Sequence, residues 1–239
     1  MFIFYLFIFS IIGLSTSIAD SFIYSNNSSS VGKIIIDGKE LIGTNSFLKG
    51  SGIHSKISRN IENFSSIHSQ GSFDIEYKQG APSLLISGDD NIIKHIITQV
   101  DKGILTISVK KSYQSENAII ISLSSPTIKS LIIDGSSNVK LSQLQLPQLA
   151  IDLLGSVDLM ASGQVSTLHL AIHGASDVDT KLLIADIVTV NIQGSADVIL
   201  TAKQTLNAKI LGSGDIVFFG EPNKINKNIM GSGDIEAGD

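Results

Sequence analysis

The feature that most constrains this chain is an internal repeat. The motif Gly-[Ser/Ala]-x-[Asp/Asn], followed by an aliphatic residue, recurs at intervals of 18 to 20 residues. Its fourth position carries Asn138, Asp158, Asp177, Asp197, Asp215 and Asp234. The copies begin at Gly135, Gly155, Gly174, Gly194, Gly212 and Gly231, and weaker copies begin at Gly71 and Gly88. A unit this short buries its apolar side chains only by stacking on its neighbours.

Aliphatic residues flank every turn at alternate positions. Two residues before successive glycines stand Ile133, Leu153, Ile172, Ile192 and Ile210, and four residues after them Val139, Leu159, Val178, Val198 and Ile216. A period of two predicts strands. We therefore predict an all-β parallel β-solenoid, or β-helix, whose rungs of 18–20 residues pair in parallel. Consecutive antiparallel hairpins are the alternative, because they also produce a period of two.

The chain consists of segments in which the repeat is regular, less regular or absent. Residues 135–239 hold the regular solenoid repeats, and residues 49–134 form a less regular, β-rich N-terminal part of the same domain. We expect one helical turn within 90–100, a hairpin at Lys102-Gly103 and a loop at 113–117. Residues 20–48 read as a leader or linker.

The N-terminus carries a targeting signal. Residues 2–14 are almost entirely apolar, and small residues precede a cleavage site between Ala19 and Asp20. This pattern predicts a signal peptide over 1–19 and an exported protein of the periplasm, cell envelope or extracellular space. The leading segment has no Lys or Arg, so an uncleaved anchor is the alternative. No later segment reaches transmembrane length.

Composition excludes several functions. The chain has no cysteine, which rules out disulfides, thiolate catalysis and cysteine-bound metals. Its net charge is −5, and its single arginine is Arg59, so it lacks the basic stripe of a nucleic-acid-binding protein. No aromatic residue lies between Tyr113 and Phe218, which leaves the regular part without a platform for stacking sugars.

The repeated turns have a structural and a functional interpretation. Glycine allows a positive φ, and Ser and Asp side chains accept hydrogen bonds from turn N–H groups. We therefore expect the glycines and the Asn/Asp row to be structural turn residues. The alternative is a row of calcium sites, but calcium takes 6–8 oxygen ligands and each turn offers one carboxylate. We expect no metal and no cofactor.

One local cluster contains residues of the kind that bind metals or act in catalysis. It consists of His169, His173, Asp177 and Asp179. Both histidines alternate with the aliphatic residues of their strand, so they are expected to point outward as surface residues. We find no ordered catalytic triad and no phosphate-binding loop, and we predict that the protein is not an enzyme.

The order of the segments resembles a known family. Residues 58–67 (SRNIENFSSI), GSFDIEYKQG, LLISGDDNIIKHIITQVDKGILTI and the Gly-Ser-Gly-Asp turns are similar to the head GIN domain family of adhesin-like proteins. The resemblance covers about residues 49–239. It implies a right-handed β-helical domain, a secreted or envelope location, a presumed role in adhesion and no catalytic residues.

Three functions follow from these patterns. The first is a non-catalytic adhesin or binding module that presents a flat, polar strand face to a surface glycan or protein, with self-association through its end strands. The second is a polysaccharide-active enzyme on a β-helix, which requires two carboxylates about 5–10 Å apart. The third is a purely structural envelope protein. No nucleic acid is expected as a partner.

Overall fold

The computed structural model describes residues 34–36, 39–41 and 47–239. The signal peptide of 1–19, with Ala19 and Asp20, and most of the 20–48 leader lie outside the described residues. The chain divides into two compact units, residues 1–45 and residues 46–239. In the first unit, β1 (Ile34–Ile36) pairs antiparallel with β2 (Lys39–Leu41).

The second unit is all-β apart from one helical turn, α1 (Asp90–Ile93). Its first strands are β3 (Leu48–Lys49), β4 (His54–Arg59), β5 (Ser66–Gln70), β6 (Asp74–Gln79), β7 (Ser83–Asp89), β8 (Ile96–Asp101), β9 (Ile104–Val109), β10 (Tyr113–Gln114) and β11 (Ile120–Ser125). The later strands are β12 (Ser130–Gly174), β13 (Asp177–Gly194), β14 (Asp197–Gly212), β15 (Ile216–Phe219), β16 (Lys224–Gly231) and β17 (Ile235–Ala237).

A single sheet joins thirteen of these strands, and its C-terminal part is parallel throughout. Gly174 lies opposite Gly194, and Gly194 lies opposite Gly212. Equivalent residues of successive sequence repeats therefore pair with one another in the sheet. The alternative of antiparallel hairpins is wrong for this part of the chain.

The aliphatic rows predicted to point inward form the core. Ile172, Ile192 and Ile210 are completely buried, and the other rows on both sides of the turns repeat this burial. The last row differs, because every residue of β16 is exposed. Ile225 is 42% exposed and Ile229 38%, although both continue buried rows.

In the N-terminal part, the order of the strands in the sheet differs from their order along the chain. β12 pairs in parallel with β5 and β6, so Leu131 lies opposite Ile67 and Val139 opposite Ile75. On their other side, β5 and β6 pair in parallel with the later strands β9 and β11. The antiparallel strands β7 and β8 come next, and β4 pairs with β7. Residues 80–129 thus form the end of the stack, although they follow β5 and β6 in the chain.

Local predictions for this part are mostly confirmed. α1 is the expected helical turn, and β8 and β9 form a hairpin at Lys102 and Gly103, whose φ values are +49° and +77°. The expected loop at 113–117 is partly wrong, because β10 pairs in parallel with β3. Arg59 links β4 to β8 by donating to the Ile96 carbonyl (2.8 Å) and to Thr98 Oγ1 (2.9 Å).

The turn glycines lie directly on one another. Gly194 has a φ of +136°, and a Cβ built there would lie 2.2 Å from the carbonyl oxygen of Gly174. The N–H of Ser195 donates to that same oxygen at 2.9 Å. A side chain would separate the two backbones and break this bond. The same close approach extends along the column Gly71, Gly135, Gly155, Gly174, Gly194, Gly212 and Gly231. A Cβ added at any member after Gly71 would lie 1.9–2.5 Å from the oxygen of the preceding glycine.

We expect Gly194→Ala to destabilise the protein by about 2–4 kcal/mol, because it combines a Gly-only backbone conformation with overpacking against the Gly174 backbone. Urea unfolding followed by circular dichroism measures this change. Ser195→Ala is the control, since Ser195 is an exposed neighbour, and it should shift stability by less than about 0.5 kcal/mol. Equal stability of the two variants would contradict the steric role of the glycine column.

The buried carboxylate of Asp89 connects the end of β7 to residues 115–117. Asp89 is 0% exposed and accepts hydrogen bonds from Ser115 Oγ (2.8 Å), the Glu116 N–H (3.2 Å) and Asn117 Nδ2. Gly50 makes room for it, because a Cβ there would overlap the Asp89 carboxylate. The Asn117 hydrogen bond, with those of Ser115 and Glu116, lowers the pKa of Asp89 below its ordinary 3.8 despite burial.

This lowered pKa makes stability depend on acid. The contribution of Asp89 is complete above the ordinary pKa of 3.8 and is lost as the pH falls through the folded-state pKa. We expect Asp89→Asn to lower stability at neutral pH and to reduce the loss of stability below pH about 4. Thermal melts between pH 2.5 and 7 test this, with the exposed Asp101→Asn as control. Parallel stability-versus-pH curves for Asp89→Asn and wild type would refute this role.

Candidate functional site

The fourth turn residues form one row on the surface, which we call the acidic row. Asp177 lies opposite Asp158 on one side and Asp197 on the other. Parts of the row are hydrogen-bonded to the next turn: Asp74 Oδ1 accepts from the Asn138 N–H (3.1 Å) and Asn138 Nδ2 (2.9 Å). At the other end, the Asp234 N–H donates to Asp215 Oδ1 at 2.8 Å.

The middle of the acidic row is solvated. Asp158, Asp177 and Asp197 are exposed, and among the described residues their carboxylates accept no hydrogen bond. At the strand spacing of about 4.8 Å, neighbouring charges repel by only about 1 kcal/mol in water. Screening by water therefore keeps the repulsion between neighbouring carboxylates small. Within 47–239, no three His, Asp or Glu side chains converge as metal ligands.

The structure separates the histidine–aspartate cluster. His169 and His173 are exposed on the strand before Gly174, opposite Thr189 and Gln193. Asp177 and Asp179 are exposed on the strand after that turn. The four side chains point to solvent on two sides of the Gly174 turn, so they do not form a catalytic arrangement.

A second surface carries mostly uncharged polar groups and was not singled out in the sequence. We call it the amide face; it comprises Thr189, Asn191, Asn207, Lys209, Asn226 and Asn228, from β13, β14 and β16. The register places Thr189 opposite Asn207 and Asn207 opposite Asn226. A sequence signal for it exists, because these residues stand three or five positions before successive turn glycines.

Hydrogen bonds connect the amide face from strand to strand. Asn226 Nδ2 donates to Asn207 Oδ1 at 2.7 Å, and Asn207 Nδ2 lies 3.5 Å from Thr189 Oγ1. A shallow depression of about 220 Å³ lies among these residues, with Lys209 and Lys227 also at its border. The 2.7 Å bond orients the amides of Asn207 and Asn226 relative to each other, so a ligand meets this pair in one arrangement.

A larger depression lies beside β6, in the N-terminal part. It has a volume of about 410 Å³, and its charged residues are Glu76, Lys78 and Lys140. Ser122 Oγ donates to Glu76 Oε2 at 3.2 Å. Glu76 is the one carboxylate among the residues that line this depression, so the depression lacks the pair that glycoside hydrolysis requires.

A half-buried tyrosine supports the first turn of the glycine column. Tyr113 stacks on Phe73 with ring centres 6.4 Å apart, and its hydroxyl donates to the Ser72 carbonyl. Burial and the nearby Asp74 carboxylate raise the pKa of Tyr113 to about 12. The hydroxyl therefore stays protonated as a donor at neutral pH.

Solved structures share this fold. An adhesin-like protein ("putative adhesin") from Bacteroides fragilis superposes with a TM-score of 0.64 at 22% identity, covering 80% of this chain and 99% of its own. A "putative lipid binding protein" from Parabacteroides distasonis has a TM-score of 0.51 at 24% identity, covering 80% and 99%. A "putative adhesin" from Parabacteroides merdae has a TM-score of 0.51 at 20% identity, covering 81% and 99%. At these identities the likeness concerns the fold alone.

Sequence comparison goes further than the superpositions. No protein of curated function matches the chain in sequence. In the described part, no helix has the length and apolar character needed to cross a bilayer. A family profile described as "Putative auto-transporter adhesin, head GIN domain" matches residues 63–222, more than half of the chain. The match spans the glycine column from Gly71 to Gly212, and the chain therefore belongs to the head GIN domain family of adhesin-like proteins.

Proposed function

We propose that this protein is a non-catalytic binding module of the cell envelope or its exterior, which holds a hydroxyl-rich glycan on its amide face. The proposed scaffold is a right-handed parallel β-solenoid with rungs of 18–20 residues over 135–239, joined to a less regular part over 49–134. In this scaffold the turn glycines set the stacking of rungs, the acidic row lies along the solvated turns, and the amide face contacts the ligand.

The observation that carries the proposal is the hydrogen-bonded series Thr189, Asn207 and Asn226. Three adjacent strands present amide or hydroxyl groups at one register position, and the 2.7 Å hydrogen bond between Asn226 and Asn207 orients those two amides. Adjacent strands repeat such groups about every 4.8 Å. A polymer with regularly spaced hydroxyl groups is the complementary ligand, because amides both donate to and accept from hydroxyls.

The composition of the amide face favours a glycan over a protein. Protein interfaces have an apolar, aromatic-rich centre, whereas the centre of this face is Asn207 beside Lys209. Against a polysaccharide-active enzyme, the 410 Å³ depression is lined by one carboxylate, Glu76. A purely structural role would leave the ordered side chains of the amide face without a ligand.

We expect the double variant Asn207→Ala/Asn226→Ala to bind a glycan ligand roughly tenfold more weakly, because each lost hydrogen bond costs about 0.5–1.5 kcal/mol. The measurement is binding of the fluorescently labelled protein to immobilised peptidoglycan, lipopolysaccharide and capsular polysaccharides. Binding should weaken only slightly between 0.05 and 0.5 M salt, because the Asn and Thr contacts are neutral and only the lysines of the face carry charge.

Gln164→Ala is the matched control, since it removes an exposed amide that lies away from the amide face. Its affinity should equal that of wild type. Equal affinities of the double variant and wild type would contradict the assignment of the face, and absence of binding to every polymer would contradict glycan recognition. Release of reducing ends from the same polymers would show catalysis and overturn the non-enzymatic assignment.

The proposed location depends on cleavage of the signal peptide between Ala19 and Asp20. We expect the exported protein to begin at Asp20, because small residues occupy the −3 and −1 positions of that site. N-terminal sequencing of the protein recovered from the periplasm or medium measures this. Ala19→Leu should block processing and retain the larger form at the membrane. A wild-type protein that keeps Met1 would instead indicate the uncleaved anchor.

A further inference from the structure

The depression of about 410 Å³ beside β6 extends across four adjacent strands, β12, β6, β11 and β7. The register places residues of these strands side by side in a first row, which consists of Lys140, Glu76, Ser122 and Leu85. A neighbouring row contains Lys78 of β6 opposite Ser124 of β11. Both rows alternate with the buried Tyr77 and Leu123, so they belong to the outer face of the sheet.

The depression results from a difference in side-chain length. Ser122 stands beside Glu76, and Ser124 stands beside Lys78, so short side chains lie next to long ones. Ser122 Oγ donates to Glu76 Oε2 at 3.2 Å, and Ser124 Oγ donates to the Ala81 carbonyl. Both hydroxyl hydrogens are therefore used within the protein. The space above these serines lies within the range of small-molecule sites, about 300–1,000 Å³.

Two lysines of the depression have no partner in the protein. Within the described residues, no hydrogen bond or ion pair involves the side chain of Lys78 or Lys140, although both line the depression. Lys181, elsewhere on the sheet, differs, because its Nζ lies 3.5 Å from the centre of the Phe219 ring. The ammonium groups of Lys78 and Lys140 are therefore available to an anion from solution.

The charges of the depression favour a ligand with one negative charge. Glu76 lies opposite Lys140 and two residues before Lys78, but its carboxylate is hydrogen-bonded to Ser122 and forms no ion pair with either lysine. Two lysines and one glutamate give a net charge of +1. A carboxylate matches this charge. A phosphate monoester, with a charge of about −1.5 to −2 at neutral pH, is repelled more strongly by Glu76.

The hydrogen-bonding capacity of these groups specifies more than an anion. A lysine ammonium group only donates hydrogen bonds, whereas an ionised glutamate only accepts them. A ligand that satisfies all three groups presents a carboxylate to the lysines and a hydroxyl group to Glu76. The half-buried Leu85 adds an apolar contact at the end of the first row. A uronic acid combines a carboxylate, several hydroxyl groups and an apolar C–H surface in one sugar ring.

We propose that this depression binds a uronic acid, with the carboxylate between Lys78 and Lys140 and a hydroxyl group donating to Glu76. The ligand is a free acidic sugar or one residue of an acidic polysaccharide, since both carry the same groups. The site lies on β6, β7, β11 and β12, whereas the amide face lies on β13, β14 and β16. The proposal therefore does not depend on the amide face.

Chemical-shift titration of the isotope-labelled full chain locates the site. We expect D-galacturonate to cause saturable shifts at the amides of 76–78, 122–124 and 140–142. D-galactose, which lacks the carboxylate, and acetate, which lacks the hydroxyl groups, should bind about tenfold more weakly or less, and inorganic phosphate should also bind more weakly than D-galacturonate. Absence of saturable shifts in these segments, or an affinity for acetate or phosphate equal to that for D-galacturonate, would overturn the proposal.

Substitutions test the roles of the charged residues. Lys78→Gln/Lys140→Gln should weaken D-galacturonate binding about tenfold or more, because it removes both charged donors. Lys110→Gln/Lys129→Gln is the matched control, since it removes two exposed lysines that do not line the depression, and its affinity should equal that of wild type. Glu76→Ala should reduce the preference for D-galacturonate over acetate, because only the sugar has a hydroxyl group to donate. An unchanged affinity in the first variant, or an unchanged preference in Glu76→Ala, would contradict these roles.

A trisaccharide of galacturonate distinguishes the two sources of the ligand. Binding at least as tight as that of the monosaccharide supports a residue of an acidic polysaccharide, whereas weaker binding supports a free acidic sugar. In both cases the affinity should fall several-fold between about 0.05 and 0.5 M salt, because the lysine contacts are charged and solvent-accessible. Binding of D-galacturonate that does not respond to salt would overturn the role of the lysines.

Discussion

Close approach of backbone to backbone at the turn is the constraint on which the rest of the structure depends. From Gly155 to Gly212, each oxygen of the glycine column accepts a hydrogen bond from the next turn, and the following glycine Cα passes over it with no room for a Cβ. This contact sets the register of both flanking strands, because Gly174 and Gly194 are themselves paired. Once the register is set, equivalent aliphatic residues of successive strands lie side by side in the core and exclude water. Equivalent polar residues lie side by side on the surface.

Because of this register, one alternating sequence pattern specifies both the core residues and the surface residues. Alternation places Val190 and Ala208 inside and Thr189 and Asn207 outside. A substitution at an inner position therefore affects packing, whereas one at an outer position changes what the surface binds. Function can diverge in such a fold without a change in its core, because neighbouring positions face different surroundings.

Much of the fold could be predicted from the sequence, since a period of two and a repeat of 18 to 20 residues are local properties. The steric reason for glycine could not, because the clash at Gly194 is with Gly174, and only the register brings them together. Nor could the role of Asp89, whose partners Ser115 and Asn117 come from a distant segment. The amide face left a signal, in the polar residues at fixed distances before each glycine, but polar residues on outward positions are common.

The placement of 80–129 at the end of the stack has a consequence for synthesis. β5 and β6 emerge from the ribosome early, yet their partners β9, β11 and β12 follow by roughly 40 to 65 residues. The first strands therefore wait as unpaired edges until the later segments arrive, and such edges are prone to mispair. In the C-terminal part, each later strand pairs with one already formed. The nascent chain thus passes one slow, nonlocal step and then elongates by short-range additions.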